Sequence, residues 1–294
     1  MKIAMLIEAW NPIWAGGQVH VWELCKQLIE DYNCSIDLYV MNLKDKKKHP
    51  KIEDHLNKKL RVIRVGKPAS FSILSRIKWC FNVIREVKKR KYDLIHAHSD
   101  LPAIPAKTLG FLTKKPVFYT VHVSSFHWRG NKSIMRHIER LFHQYFRYTH
   151  LFTVGSYLTK YPLKTKKVSV IGNGTNLKAR LSRKEKEKRT KTILFVGRLH
   201  EQKGLDFLIK SLKLVKKDYR LEVVGDGKLK SEYKKLAKNL SIEKKVHFSG
   251  WKNHDEIQGK YQNADLLVLP SRFEGFGIVI LESMVSGTPV ISTR

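Results

Sequence analysis

Short runs of apolar, β-branched residues recur along this chain, separated by longer segments in which apolar positions return every three or four residues. The first pattern fits buried strands and the second amphipathic helices. Their alternation predicts an α/β chain built on parallel sheets. In the first half, strands are expected over 3–7, 36–40, 62–65, 94–97, 117–121 and 151–154, with a short one over 168–171. From 179 to 191, Arg, Lys and Glu crowd together with no apolar period, the pattern of a linker. The alternation then restarts. Strands are expected over 192–196, 221–224, 246–249, 266–269 and 290–292, with helices over 204–216, 228–240 and 277–285 between them. Two Rossmann-like domains follow, 1–178 and 192–294, joined by the linker 179–191. A chain of 294 residues is long enough for both.

The most informative stretch is 271–290. An apolar strand runs into a glycine turn that carries Glu274, and a helix opening at about Gly277 carries Glu282. A strand, a Gly-rich turn and a helix N-terminus suit phosphate, because unpaired N–H groups and the helix dipole both favour an anion. Two carboxylates beside such a turn add hydroxyl binding on either side of it, which is the layout of a nucleotide-sugar. The rival is the carboxylate pair of a glycoside hydrolase. On one continuous helix, eight residues rise roughly 12 Å and turn about 80°, whereas hydrolytic pairs sit roughly 5–9.5 Å apart. Two contacts on one long ligand fit better. A capped helix with two solvated glutamates fits the same residues.

Other segments match this theme. Val196-Gly-Arg-Leu-His-Glu-Gln-Lys-Gly204 places Arg198, a bidentate fork, and Lys203, a point charge, after a predicted strand. Cations there would stabilise the charge that a departing diphosphate gains. The loop Asn11-Pro-Ile-Trp-Ala-Gly-Gly-Gln-Val-His20 puts Gly16 and Gly17 at a helix start, where backbone can approach a ligand; a plain strand–helix connection reads the same way. His122 ends a predicted strand, as a hydrogen-bonded structural histidine also would. His96 and His98 alone, with no partner carboxylate or cysteine, are a poor metal set, so no metal is expected and His98 is read as acceptor-side or structural. Asp226 is expected to shape a turn.

Pro270-Ser271, the Glu274–Glu282 spacing and Ser286-Gly287-Thr288-Pro289-Val290 together resemble the retaining, GT-B-fold glycosyltransferases of family 4, over nearly the whole chain. The resemblance implies two Rossmann-like domains with a cleft between them. It also implies transfer of a hexose-type sugar from a nucleoside diphosphate donor to a hydroxyl acceptor, in assembly of a cell-envelope glycan or glycolipid. Under it, Glu274 and the amides of Gly275, Phe276 and Gly277 contact the donor sugar, and Glu282 holds the ribose. Arg198 and Lys203 take the diphosphate without a metal ion or other cofactor, and Gly16 and Gly17 face it. Gly250 and Trp251 contact the base, and His122 lies beside the transferred sugar. Family members continue beyond the position matching Arg294, so a fragment or a shortened, impaired protein is expected, with the second domain incomplete. A sugar-nucleotide epimerase and a binding-only protein are the alternatives. The sugar, base and acceptor are not legible.

Charge changes the picture least. The chain carries 57 Lys+Arg against 26 Asp+Glu, a formal +31, which suits nucleic acid, an anionic membrane or a solvated lysine-rich surface equally. No nucleic-acid motif accompanies it, and nucleic acid is not expected as a partner. Two segments join basic residues to apolar periodicity. In 71–89, Phe71, Leu74, Ile77, Phe81 and Ile84 stand beside Arg76, Lys78, Arg85 and Lys88. In 127–147, Trp128, Phe142, Tyr145 and Phe146 mix with Arg129, Lys132, Arg136 and Arg140. Such helices either pack on a sheet or lie on an anionic membrane surface. Three scattered cysteines, Cys25, Cys34 and Cys80, point to a reducing cytosol. The opening apolar run is too short for a signal peptide, and no window is long and apolar enough to span a bilayer. A cytoplasmic protein, in reach of the inner membrane face, is expected.

Overall fold

The computed structural model describes residues 1–11, 13, 16–45, 49–122, 144–156, 164–175, 177, 190–252 and 254–293. The proposed linker 179–191 falls almost wholly outside these residues, as does most of the basic segment 127–147. The chain divides into two compact units, Met1–Asn173 and Gly174–Arg294.

The first unit holds one eight-stranded sheet: β1 (Lys2–Leu6), β2 (Ser35–Leu43), β3 (Ile52–His55), β4 (Leu60–Ala69), β5 (Leu94–His98), β6 (Val117–Val121), β7 (His150–Thr153) and β8 (Val168–Val170). Their order is β3-β4-β2-β1-β5-β6-β7-β8, and every neighbouring pair is parallel except β3 with β4. Alternate residues of each strand feed two cores. Ile3, Met5 and Ile7 pack with Val21, Cys25 and Ile29 of helix α1 (Gly16–Glu30) on one face. Ala4 and Leu6 pack with helices α2 (Ile73–Lys88) and α3 (Asp100–Thr113) on the other. Burial on both faces is what a near-continuous apolar strand requires.

The strand β3 was not expected. It carries a single large apolar residue, and its turn back to β4 runs through Leu56, Asn57 and Lys58, all with positive φ, with no glycine to announce it. In α2 the buried residues are Trp79, Cys80, Val83 and Val87. The stripe read from the sequence largely faces out: Leu74 is 68% exposed and Phe81 65%.

The second unit holds a five-stranded parallel sheet of β9 (Lys191–Val196), β10 (Tyr219–Val224), β11 (Val246–Gly250), β12 (Leu266–Leu269) and β13 (Val290–Ser292), in the order β11-β10-β9-β12-β13. Phe195, Leu221, Val223 and Leu269 pack with α4 (Leu205–Leu212) and α5 (Lys230–Asn239). Leu194, Val196 and Leu267 pack with Tyr261 and Ala264, at the end of α6 (His254–Asn263). Helix α7 (Ile278–Val285) follows β12. Helix α4 therefore ends four residues short of the expected 216. Both sheets are doubly wound, and each has a point where strand order reverses, between β1 and β5 and between β9 and β12. The crevice outside the carboxyl ends of such strands is where open α/β sheets hold ligands.

Candidate functional site

At the reversal point of the second sheet, two loops are fastened together. After β9, residues 197–200 lead into a 3-10 turn (Glu201–Lys203), and Gly204 at φ 65° opens α4. After β12, residues 270–276 lead to Gly277 at φ 73°, which opens α7. The Arg272 amide donates to the Gln202 carbonyl at 2.7 Å, and Gln202 Nε2 donates to the Phe273 carbonyl at 3.2 Å. Arg272 also forks onto both oxygens of Asp206 at 2.9 and 2.8 Å and lies over the Phe207 ring. Gly204 is required here: a Cβ on it would stand 2.0 Å from the Pro270 carbonyl oxygen.

This fastening brings Lys203 and Glu274 together. Lys203 Nζ donates to Glu274 Oε1 at 2.5 Å, and Ser271 Oγ donates to the same oxygen at 2.7 Å. Glu282, on the following helix, is nearly buried and accepts a 2.6 Å hydrogen bond from the Tyr261 hydroxyl. Burial, and then the Glu282 charge and hydrogen bond, hold Tyr261 protonated, far above its ordinary pKa. Glu274 and Glu282 do not share one helix as the spacing argument supposed. Glu274 sits in the turn and only Glu282 is helical, so the helical rise does not measure their separation. The helix opens at Gly277, where the sequence places it.

Arg198 is exposed; its carbonyl accepts from the His200 amide at 2.9 Å, and its guanidinium has no hydrogen bond or ion pair among the described residues. The loops after β9, β10 and β11 are laced in turn: the Gly197 amide donates to Val224, the Gly225 amide to Gly250 and the Leu199 amide to Asp226. Asp226 accepts from the Gly227 amide at 2.8 Å, the turn role read from the sequence. Gly250 ends β11 at φ 74° with open space where a Cβ would stand, and Trp251 beside it is exposed.

The reversal point of the first sheet is furnished differently. Gly16 and Gly17 begin α1, and a Cβ on Gly17 would stand 3.7 Å from the His122 ring. His122 follows β6, and His98 ends β5. His98 Nδ1 and His122 Nε2 share a 3.1 Å hydrogen bond, and His20 of α1 joins them through its ring. His96, in the same strand as His98, bonds Thr120 Oγ1 at 2.8 Å instead. Burial, with each imidazole opposing charge on the next, pushes His96 and His122 down to about 3 and His98 well below its ordinary value. All stand neutral at pH 7.

Three residues with evident roles escaped sequence reasoning. Tyr261 lies in a mostly polar helix, Gln202 is an unremarked turn residue, and His20 closed the glycine loop without being given a part. Only His20 carried a signal, its place four residues after Gly16 on a helix that opens at the crevice.

The comparisons with known proteins agree with this plan. Residues 14–179 match the family described as Glycosyltransferase Family 4, and residues 178–294 match Glycosyl transferases group 1. An uncharacterised glycosyltransferase of Methanocaldococcus jannaschii is 29% identical over 323 aligned positions, covering 99% of this chain and 80% of that protein. A UDP-Gal:alpha-D-GlcNAc-diphosphoundecaprenol alpha-1,3-galactosyltransferase of Escherichia coli is 27% identical, covering 76% of this chain and 63% of its own. Among solved structures, sucrose-phosphate synthase of Thermosynechococcus elongatus superposes with a TM-score of 0.80 at 20% identity, covering 99% of this chain and 80% of its own. The α/β fold with two Rossmann-like sheets is that of the GT-B class. The chain belongs to glycosyltransferase family 4 and is a glycosyltransferase.

Proposed function

We propose that this enzyme moves a hexose-type sugar from a nucleoside diphosphate donor to a hydroxyl acceptor, with retention at the anomeric carbon, in building a cell-envelope glycan or glycolipid. The observation that carries the reading is the joining of the two loops at the second reversal point, which sets Lys203 against Glu274 with Glu282 on the next helix. The ion pair has a use on each side once a donor arrives. Diphosphate oxygens take Lys203, and sugar hydroxyls take the Glu274 carboxylate, so each charge exchanges one partner for another.

As the bond from the anomeric carbon to the phosphate oxygen breaks, its electron pair leaves with the diphosphate. Arg198 and Lys203 stabilise that charge, in place of a metal ion. The amides of Gly275, Phe276 and Gly277 position the sugar, and Glu282, oriented by Tyr261, accepts from ribose hydroxyls. Gly250 and Trp251 flank the base. The departing phosphate takes the acceptor proton, and positioning supplies much of the remaining rate. On the first unit, Gly16 and Gly17 offer amides to the donor phosphate, neutral His122 stands beside the transferred sugar, and His98 serves the acceptor side. That the Escherichia coli relative is named for a UDP-sugar donor and a diphosphoundecaprenol acceptor supports this choice of substrates.

Helix α2 supports work at the inner face of the cell membrane, with the protein itself in the cytoplasm. Leu74, Ile77 and Phe81 are exposed one turn apart beside exposed Lys78, Arg85 and Lys88, a face suited to an anionic bilayer. No helix among the described residues is long and apolar enough to cross a membrane.

Calorimetric titration with UDP-, GDP- and ADP-sugars tests the donor site. Arg198→Ala and Glu282→Ala are each expected to weaken binding of the preferred donor by about a hundredfold, roughly 2.7 kcal/mol. Unchanged affinity in both would sink the site assignment, and donor binding with no transfer to any lipid-linked acceptor would leave a donor-binding protein. Flotation with phosphatidylglycerol vesicles should fall in the Leu74→Gln/Phe81→Gln variant.

A further inference from the structure

The histidines at the first reversal point are more than an acceptor-side feature. His20, His98 and His122 come from three elements far apart in sequence, yet one nitrogen of each lies within 4.8 Å of the others. The tightest pair, His98 Nδ1 and His122 Nε2, is 3.1 Å apart. Two imidazoles on one tetrahedral zinc ion, with bonds of about 2.0–2.1 Å, hold their nitrogens about 3.3 Å apart. The other nitrogen pairs, within 4.8 Å, have at most about 1.5 Å to close to reach a three-nitrogen shell.

The tautomers point the same way. His20 Nδ1 stands 2.7 Å from Asn173 Oδ1, an oxygen that can only accept, so that nitrogen carries the ring proton. Its Nε2 is left with a lone pair, and that atom is buried with no hydrogen-bond partner among the described residues. An oxygen holding the far nitrogen of an imidazole, with the near lone pair left bare, is the arrangement that surrounds metal-bound histidines. His98 is 0% exposed, and its Nε2 is also buried without a partner among the described residues. Burial keeps the rings in the uncharged form that coordination needs.

We infer that His20, His98 and His122 form a binding site for one divalent transition-metal ion of the zinc class. Among the described residues no carboxylate or thiolate joins the three. An all-imidazole set selects zinc, copper or nickel over magnesium, calcium or manganese, which take oxygen ligands. Three protein nitrogens leave the fourth position to water or an anionic oxygen. On binding, the hydrogen bond between His98 and His122 gives way to two metal–nitrogen bonds. Its proton moves to the outer nitrogen of the same ring, so no proton is released. This goes beyond the proposed transfer, which uses no metal at the diphosphate.

The test uses the untagged full chain, stripped with EDTA, loaded with ZnCl2 and passed through a desalting column. One equivalent of zinc is expected to remain by mass spectrometry of the metal, and X-ray absorption at the zinc edge should count three imidazole nitrogens. His20→Gln and His122→Gln should each lose that equivalent, while His247→Gln, in the other unit, keeps it. Loading with MgCl2 should leave no metal on the protein. A wild-type chain that retains no zinc overturns the inference, and so does zinc retained in full by His20→Gln. If a variant fails to fold, by circular dichroism without metal, the absorption spectrum of the wild type decides: a shell without three imidazoles rejects the site. The readout is metal content, so a failed transferase assay leaves it untouched.

Discussion

At the carboxyl ends of β1 and β5 the first unit gathers imidazoles that burial holds uncharged; at the carboxyl ends of β9 and β12 the second gathers Arg198, Lys203, Glu274 and Glu282. The scaffolding is the same in both: a parallel sheet, a strand-order reversal, a glycine-led helix opening beside it. What differs is how each crevice meets the cost of its polar groups. The first removes charge and satisfies part of its hydrogen bonding internally, which suits a neutral hydroxyl or a metal ion. The second keeps an exposed cation at Arg198 and one ion pair, Lys203 with Glu274, that a ligand can exchange, and buries only Glu282, on the Tyr261 hydroxyl. Fold places the crevice, and loop chemistry decides what enters it.

The largest expected effect strikes the second crevice. Gly204→Ala would drive a Cβ to within 2.0 Å of the Pro270 carbonyl at a φ of 65°, where both the clash and the backbone oppose it. The loss should be about 3–5 kcal/mol. It should be confined to the second unit, so hydrogen exchange read by mass spectrometry should rise in peptides from 190–252 and stay level in those from 2–45. A uniform rise across both would show that the two units do not unfold separately.

Acid should then break the first crevice while sparing the second. His96 and His122 sit at about 3 when folded, against about 6.5 when unfolded. Since the folded values are depressed, the unfolded chain binds more protons between those limits, and stability falls as pH drops through that window. Stability is full above about 6.5. By pH 5 the two sites together should cost about 2–4 kcal/mol, the coupling between neighbouring rings making the sum less than additive. Glu8, raised by burial, opposes the loss in the carboxylate range. In the second unit, burial would raise Asp206 and Glu222, but hydrogen bonds from Arg272 and from Lys260 and Ser249 outweigh it, and both carboxylates are lowered. Their contribution is lost only below their ordinary range, near 4. Exchange measured at pH 7.5 and 5 should therefore rise in the first unit alone. Equal rises would contradict the neutral-histidine account.

Much of this comparison was legible beforehand, and the gaps have physical causes. Strands of a two-faced parallel sheet are apolar at every position, so β1, β5, β9 and β12 stand out without neighbours to consult. The Glu274 turn was legible because glycines and carboxylates cluster within a few residues. The histidine cluster was not: His20, His98 and His122 meet only once α1, β5 and β6 are assembled, and a motif confined to 96–98 pairs the wrong two. Helix α2 shows a different limit. Both Trp79-Cys80-Val83-Val87 and Leu74-Ile77-Phe81 keep helical spacing, and periodicity alone cannot say which row the sheet covers. Glu282 was found without Tyr261 because the latter is a lone aromatic on a polar helix, invisible until its hydroxyl is seen on the carboxylate.

The finest test separates groups kept for folding from those kept for ligand. Arg198 is exposed and unpaired among the described residues, on a turn held by backbone bonds from Leu199 to Asp226 and from Gly197 to Val224. Removing its guanidinium takes away no hydrogen bond or ion pair among the described residues, and surface substitutions of that kind stay within about 0.5 kcal/mol. Arg198→Ala should therefore match wild type in urea denaturation while losing donor affinity. A gain of a few tenths of a kcal/mol is the expected direction, because a chain with a formal net charge of +31 is relieved of one more positive charge. Such a gain would grow at low ionic strength, where screening is weakest. A loss above 1 kcal/mol would mean that Arg198 has a structural partner, and the contrast with the buried histidines would then fail.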